Sequence, residues 1–185
     1  GVAQVAIGMT GRRYGVVQDG GRIELGSTLD LETDKATTAN GFLVVRPGAR
    51  LDASGAAAVL DVPGRAAVDV AGAGGAIVLG ASNGLYIDGS LNARAGGAGA
   101  AGGILSLALE TPLLGPVARL TYLGEGVPDA LRVPRELVLE QAYAGSGLAA
   151  DAQPGQFDAS LAYGHARYGV DAIHAGGFGT ASLYV

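Results

Sequence analysis

The chain has 185 residues, enough for one domain with a sizeable core, and 33 of them are glycine. Hydrophobic residues make up 49% of the chain and charged residues 16%, with a formal net charge of −5, so the composition is not that of a disordered segment. The 12 Lys and Arg residues are scattered, which argues against a basic surface for nucleic acid or anionic membranes, and the lack of cysteine excludes disulfides and thiolate metal sites.

The sequence offers neither a membrane span nor an export signal. No apolar run reaches the roughly 18 residues of a membrane span, because Gly, Asp, Arg or Pro interrupts each one. Residues 1–4 (GVAQ) do not form a charged region followed by an apolar core, so we expect no signal peptide. If the parent protein is exported, we expect this chain to be an internal piece of it.

A glycine pair followed by a short strand-like run recurs along the chain. The clear copies are GGRIEL from Gly20, GGAIVL from Gly74 and GGILSL from Gly102, with a looser copy from Gly176 leading to residues 182–185. The second glycines of the clear copies lie at 21, 75 and 103, which we interpret as two units and then one unit of about 27 residues. Periods of this length are typical of solenoid folds.

A second recurrent element lies between the glycine pairs. Residues 44–55 resemble residues 86–96, and both indicate a strand, a glycine corner and a second strand. Residues 29–31 and 68–72 have the alternation of further short strands. We therefore predict an all-β parallel stack of roughly seven to nine coils, on the order of 35–45 Å long.

Regularity stops at residues 110–154, which contain five of the seven prolines: Pro112, Pro116, Pro128, Pro134 and Pro154. Within this part, residues 117–123 and 135–139 are predicted to pair as an excursion, unless the first of them is a loop. Residues 170–177 predict one helical turn stopped by glycine before a final strand. The predicted organisation is coils in 1–109, an irregular Pro-rich excursion in 110–154, and coils again in 155–185.

The chain resembles the filamentous-haemagglutinin-like large exoproteins exported by two-partner secretion. The resemblance is best in residues 75–81, 85–93 and 102–107 and is also present in the AGGF of residues 175–178. It implies a right-handed parallel β-helix, export through an outer-membrane transporter, and a secreted or surface location with roles in adhesion, biofilm or contact-dependent inhibition. The family's amino-terminal secretion domain is not visible, so the resemblance implies an internal rod segment.

Two sequence patterns match motifs of enzymes. Residues 80–84 (GASNG) match the G-x-S-x-G pattern around a catalytic serine, with four acid or histidine residues following in the required order: Asp151, Asp158, His165 and His174. The match requires a helix after Ser82, whereas residues 85–89 predict a strand, so we interpret the motif as a tight turn. Residues 97–102 match G-x-G-x-x-G with Glu125 downstream, but prolines prevent a βαβ unit, so we interpret them as a loop at a corner.

Metal and carbohydrate chemistry are the remaining alternatives. The glycine-rich residues 96–100 lack the carboxylate of calcium-binding repeats, and His165 and His174 lack metal-ligand spacing. Many β-helix proteins degrade polysaccharides with acids clustered on one face, and Asp30, Asp52 and Asp88 would form such a cluster if the coils aligned. Single outward acids are more often solvated surface residues.

We therefore predict a structural and interaction segment of a secreted surface adhesin rather than an enzyme. No catalytic, cofactor-binding or metal-binding residues are assigned. Adhesive contacts are expected from residues 110–154, with Tyr122 and Tyr143 as exposed candidates. The expected partners are the secretion transporter, a host or bacterial cell surface and the rest of the parent polypeptide. The alternatives are a toxin stalk or a polysaccharide-degrading β-helix enzyme.

Overall fold

The computed structural model describes residues 1–30, 35–38, 41–109, 135–149 and 164–185. In this part of the chain nearly all regular structure is β-strand, which confirms the predicted all-β class. The elements are β1 (Ala3–Ile7), β2 (Arg13–Val17), β3 (Arg22–Leu25), β4 (Ser27–Asp30), β5 (Lys35–Thr38), β6 (Phe42–Val45), β7 (Arg50–Asp52), β8 (Ala57–Asp61), β9 (Ala67–Ala71), β10 (Ala76–Gly80), β11 (Gly84–Ile87), β12 (Ser90–Asn92), β13 (Gly103–Ala108), β14 (Glu136–Glu140), β15 (His165–Gly169), α1 (Val170–Ala175) and β16 (Phe178–Tyr184).

Three sheets contain only parallel pairs. Sheet 1 has the order β16-β13-β10-β3, sheet 2 has the order β14-β15-β11-β6, and sheet 3 consists of β12 and β7. The chain visits the sheets in turn, first through β3, β6 and β7 and then through β10, β11 and β12. Parallel strands need long crossover connections, and here the other two sheets supply them.

The glycine-pair units stack in register in sheet 1. Arg22 is the partner of Ala76, and Ala76 is the partner of Ile104, so the three clear copies found in the sequence are neighbours. A Cβ atom on Gly75 would lie 1.9 Å from the carbonyl oxygen of Gly21. Glycine is required at this position because one backbone lies directly against the next.

The number of residues in each layer is not constant, unlike the uniform repeat that the sequence predicted. The interval of 54 residues between the first two glycine pairs is one layer rather than two, because β3 pairs directly with β10. The β4–β5 and β8–β9 hairpins occupy the additional residues. Among the described residues, sheets 1 and 2 each have four strands, so the predicted seven to nine coils are not found there.

The predicted likeness of residues 44–55 to residues 86–96 is confirmed by the strand register. Val44 is paired with Tyr86 in sheet 2, and Leu51 is paired with Leu91 in sheet 3. The two segments differ in length at the corner, where the amide of Ala49 donates to the carbonyl of Arg46 at 3.0 Å and Gly48 has a φ of 83°. This is a Pro-Gly turn of type II, which needs positive φ at its third residue.

Residues 1–109, predicted to form coils, also contain strands that lie outside the parallel sheets. Three antiparallel hairpins lie within them: β1–β2, β4–β5 and β8–β9. The strand predicted at residues 68–72 is present as β9, and residues 29 and 30 of the strand predicted at residues 29–31 belong to β4. Both strands pair with a sequence neighbour, and residue 31 lies outside the described residues. β8 pairs with β9 because the Pro63-Gly64 turn between them reverses the chain. Gly64 has the positive φ, 76°, that this turn requires.

The strand predicted at residues 135–139 is present as β14, and it lies in one of the parallel sheets. β14 pairs in parallel with β15, and β15 pairs with β11, so β14 belongs to sheet 2. Its Leu137 packs against the hydrophobic core, which explains why this strand joins the sheet. The proposed partner strand at residues 117–123 lies outside the described residues.

The predicted helical turn before the last strand is confirmed as α1. The amide of Gly176 donates to the carbonyl of Ala172, and Gly177 ends the turn with a φ of 74°. Ala172 and Ile173 pack against the core. The chain then enters β16, which pairs with β13.

The core lies between the three sheets and consists mainly of aliphatic side chains. Ile77, Leu79, Leu105 and Leu107 of sheet 1 are almost completely buried, and Leu85 of sheet 2 lies in the same cluster. Alternate residues of each strand point inwards, so the same column is apolar in successive layers. Burial of one such leucine stabilises the fold by about 1.5–3 kcal/mol relative to exposure.

Candidate functional site

The serine motif of residues 80–84 forms the corner between sheets 1 and 2. Ser82 is fully buried, and its hydroxyl donates to Oδ1 of Asn83 at 3.1 Å. The next element is the strand β11 and not a helix, which confirms the prediction of a turn followed by a strand. The corner is repeated in neighbouring layers, because the amide of Asn83 donates to Gly41 and the amide of Gly164 donates to Asn83. Ser82 is therefore part of a buried corner that packs against the corners of the neighbouring layers.

The glycine motif of residues 97–102 forms the loop between β12 and β13, as predicted. Gly99 has a φ of 83°, and the amide of Ala100 donates to the carbonyl of Gly97. A dinucleotide site would need a helix after the motif, whereas the element that follows is the strand β13.

The acids considered for polysaccharide degradation are not stacked. Asp52 is paired in register with Asn92, while Asp88 lies at the corner after β11. Hydrogen bonds from Ser54, followed by the ion pair with Arg50, lower the pKa of Asp52 to about 2. Asp30 lies opposite Lys35 in the β4–β5 hairpin. The three residues therefore do not form one column across stacked strands.

The two histidines lie in different elements and have different surroundings. Nδ1 of His165 lies 3.3 Å from Oε2 of Glu136 across the β15–β14 pair, while His174 is exposed on α1. Within the described ranges, no three His, Asp or Glu side chains cluster in a way that would hold a metal ion.

The outer face of sheet 2 is the best candidate surface for recognition. The residues on this face combine aromatic and charged side chains, and Tyr86 among them is buried, with 8% of its surface exposed: Phe42, Tyr86, His165, Arg167, Glu136 and Glu140. The rings of Phe42 and Tyr86 are 6.1 Å apart and lie over Gly84, where a Cβ atom would be 2.9 Å from the Phe42 ring. The charged side chains lie on the two strands beyond this aromatic pair.

The charges on this face are of both signs and lie close together. Nη2 of Arg167 is 3.0 Å from Oε1 of Glu140, and the Arg167 side chain is 61% exposed. A groove of about 600 Å³ is lined by Tyr86, Glu136, Tyr143, His165 and Arg167. Glu136 and Glu140 are four residues apart in an extended strand, roughly 13 Å, too far for a pair of glycosidase carboxylates. The arrangement suits binding of a polar partner rather than bond cleavage.

Tyr143, expected to be an exposed contact, is half-buried in the loop after β14. Its ring lies 6.3 Å from the ring of Tyr168 and packs against the core. Burial, followed by the nearby Asp88 carboxylate, raises the pKa of Tyr143 to about 12, and burial raises the pKa of Tyr168 to about 12. Tyr143 therefore stabilises the loop, and Tyr122 lies outside the described residues.

Asp88 holds the same loop. The amide of Ser146 donates to Oδ1 of Asp88 at 2.6 Å, and the Ser146 hydroxyl donates to Oδ2. A carboxylate that accepts two hydrogen bonds from a loop fixes its conformation. Asp88 thus connects residues 141–149 to the corner after β11.

Sequence reasoning did not identify the outer face of sheet 2. The alternation in HARYG and ELVLE could have assigned its residues to one face of a strand. The sequence could not show that β15 lies between β14 and β11, because these strands are separated by long intervals.

No helix among the described residues is long and apolar enough to cross a membrane. No protein-family model, curated protein or solved structure gives a significant match to this chain.

Proposed function

We propose that this chain is a segment of a right-handed parallel β-helix from a secreted bacterial surface adhesin, similar to the filamentous-haemagglutinin-like exoproteins. In this proposal the segment forms part of a rod used in cell adhesion or biofilm. The observation that carries the proposal is the in-register parallel pairing of β3, β10 and β13, each of which follows a glycine pair. Repeated strands of this kind bury a common core only when they stack.

The remaining parts of the proposal come from the resemblance. They are export through an outer-membrane transporter of two-partner secretion, location outside the cell, and attachment to the rest of a parent polypeptide. The lack of cysteine is compatible with export as an unfolded chain. A stalk of a contact-dependent inhibition toxin would use the same architecture and remains the alternative within this class.

The outer face of sheet 2 is the proposed contact with a cell or polysaccharide surface. It carries the exposed charges of Arg167 and Glu136 beside the partly buried ring of Phe42 and the buried ring of Tyr86. Exposed charged groups next to apolar area are typical of surfaces that bind polar partners weakly and in many copies. A rod presents such faces at a fixed distance from its anchor.

The test is adhesion of beads that display the chain. We expect coated beads to be retained on epithelial cells, matrix proteins or biofilm polysaccharide more strongly than albumin-coated beads. Arg167→Glu should lower retention, because it reverses a charge on the proposed contact face. Arg65→Glu makes the same change in the exposed turn of the β8–β9 hairpin and should leave retention unchanged.

Two results would contradict this function. Retention equal to that of albumin-coated beads on every surface would remove the adhesive role. Shortening of a polysaccharide by the chain, abolished by Asp52→Asn or Asp88→Asn, would instead identify the enzyme alternative.

A further inference from the structure

One backbone edge of the β1–β2 hairpin, the outer edge of β1, pairs with no other strand in the part of the chain that the structure describes. The amide of Gly8 donates to the carbonyl of Arg12 at 2.8 Å, and the amide of Gln18 donates to Val2 at 3.1 Å. Hydrogen bonding alternates along an antiparallel strand, so Gln4 and Ala6 also bond towards β2. Ala3, Val5 and Ile7 consequently direct their N–H and C=O groups away from β2.

This edge lacks the usual protection against pairing with another strand. Among the described residues, β1 forms backbone pairs with β2 and with no other strand. Natural edges carry Lys, Pro or a bulge, whereas residues 2–9 (VAQVAIGM) contain neither a charge nor proline. Val5 is 44% exposed and Ile7 75% exposed, so apolar area surrounds the bare backbone groups.

The β1–β2 hairpin contacts the β8–β9 hairpin through Arg13 and Asp61. The amide of Arg13 donates to Oδ2 of Asp61 at 2.7 Å, and the Arg13 guanidinium lies 3.0 Å from Oδ1. These contacts connect β2 to the β8–β9 hairpin. Because all five residues of β1 are paired with β2, its other edge is in a strand conformation before any partner binds, which lowers the entropy cost of pairing.

We propose that a second copy of this chain binds at this edge, with the two β1 strands antiparallel around a two-fold axis at Val5. In this register Val5 faces its own equivalent and Ala3 faces Ile7 of the other copy. Every outward N–H then meets an outward C=O, because the strand is complementary to itself. The product is a four-stranded antiparallel sheet with the order β2-β1-β1-β2.

The charges of the hairpin favour a second copy of the chain as the partner of β1. Arg12 lies at the turn end and Asp19 at the open end, while β1 itself is uncharged. Antiparallel pairing brings the turn end of one copy to the open end of the other, so charges of opposite sign lie on the same side. The arrangement avoids like-charge contacts in a protein with a net charge of −5.

Sedimentation equilibrium of the full chain tests the proposal. We expect the weight-average mass to rise with concentration from 18.2 kDa towards twice that value. Val5→Pro removes an outward amide without breaking the β1–β2 ladder and should leave a monomer. Val5→Lys adds a charge at the two-fold axis and should also leave a monomer.

Val16→Lys is the matched control, because Val16 is an exposed apolar residue of the same hairpin whose backbone faces β1. It should dimerise as the parent does, and all variants should keep the circular dichroism spectrum of the parent. A monomeric parent at every concentration, or a Val16→Lys variant that dissociates as completely as Val5→Lys, would overturn the proposal. So would a monomeric parent that cosediments with phosphatidylglycerol vesicles and loses this property in Val5→Lys, because the edge would then be a lipid contact. This inference is independent of the adhesive function.

Discussion

The glycine pairs are not equivalent at the level of single residues. Gly75 lies in the middle of sheet 1, where a Cβ atom would overlap the backbone of Gly20 and Gly21. Gly21 occupies the corresponding position at the edge of the stack, and a Cβ atom there would meet nothing within 4 Å. Neither glycine has a positive φ, so space alone distinguishes them.

Gly75→Ala should therefore lower the free energy of unfolding by about 1–3 kcal/mol, the usual cost of overpacking. Gly21→Ala should change it by less than about 0.5 kcal/mol or raise it slightly, because alanine restricts the unfolded chain. Urea unfolding followed by circular dichroism measures both values. Equal losses for the two variants would be incompatible with direct stacking of these strands.

At the level of the elements, two similar turns serve different parts of the fold. Gly48 is in the Pro-Gly turn that joins β6 to β7, and Gly64 is in the Pro-Gly turn that joins β8 to β9. The first connects two of the stacked sheets. The second closes a hairpin that lies outside all three parallel sheets.

Valine at either glycine would be strained by about 1–2 kcal/mol, because both have positive φ. We expect Gly48→Val to lower the global free energy of unfolding by that amount. Gly64→Val should lower it much less, because the β8–β9 hairpin can open locally to relieve the strain. Urea unfolding reports the global effect, and hydrogen exchange at residues 57–71 reports local opening. If the urea midpoints fall together, the hairpin is part of the cooperative core.

At the level of the whole molecule, the layers differ in how many neighbours their strands have. β10 and β13 in sheet 1, and β11 in sheet 2, have a parallel partner on each side. Their inward side chains are almost completely buried. The β1–β2 hairpin is exposed on most of its length, and no residue of the β8 and β9 strands is fully buried. Stability should therefore fall from the middle layers to the hairpins.

Native-state hydrogen exchange in dilute solution checks this order. Amides of β10, β11 and β13 should exchange most slowly, because their opening requires loss of the common core. Amides of β8 and β9 should exchange faster, since they lie in a two-stranded hairpin. Protection of β8 and β9 equal to that of β10 would contradict the layered arrangement.

The sequence by itself determined the local features of this protein. The repeated glycine pairs of GGRIEL, GGAIVL and GGILSL predicted the strands that stack in sheet 1. The likeness of residues 44–55 to residues 86–96 predicted a strand, a corner and a second strand in each, and these segments are neighbours in sheets 2 and 3. The turn at residues 80–84, the loop at 97–102 and the helical turn before β16 were also predictable, because glycine and alternation act over a few residues.

Only the tertiary structure decided which strands are neighbours in sheet 2 and what lies on its surface. β15 lies between β11 and β14, and this order brings His165 to Glu136 and Arg167 to Glu140. It also decided that the 54 residues after Gly21 make one layer, because two hairpins pair with themselves and leave the stack. Such pairings depend on which apolar side chains, distant from each other in the sequence, are buried against one another. A local sequence pattern does not contain the free energy of that burial.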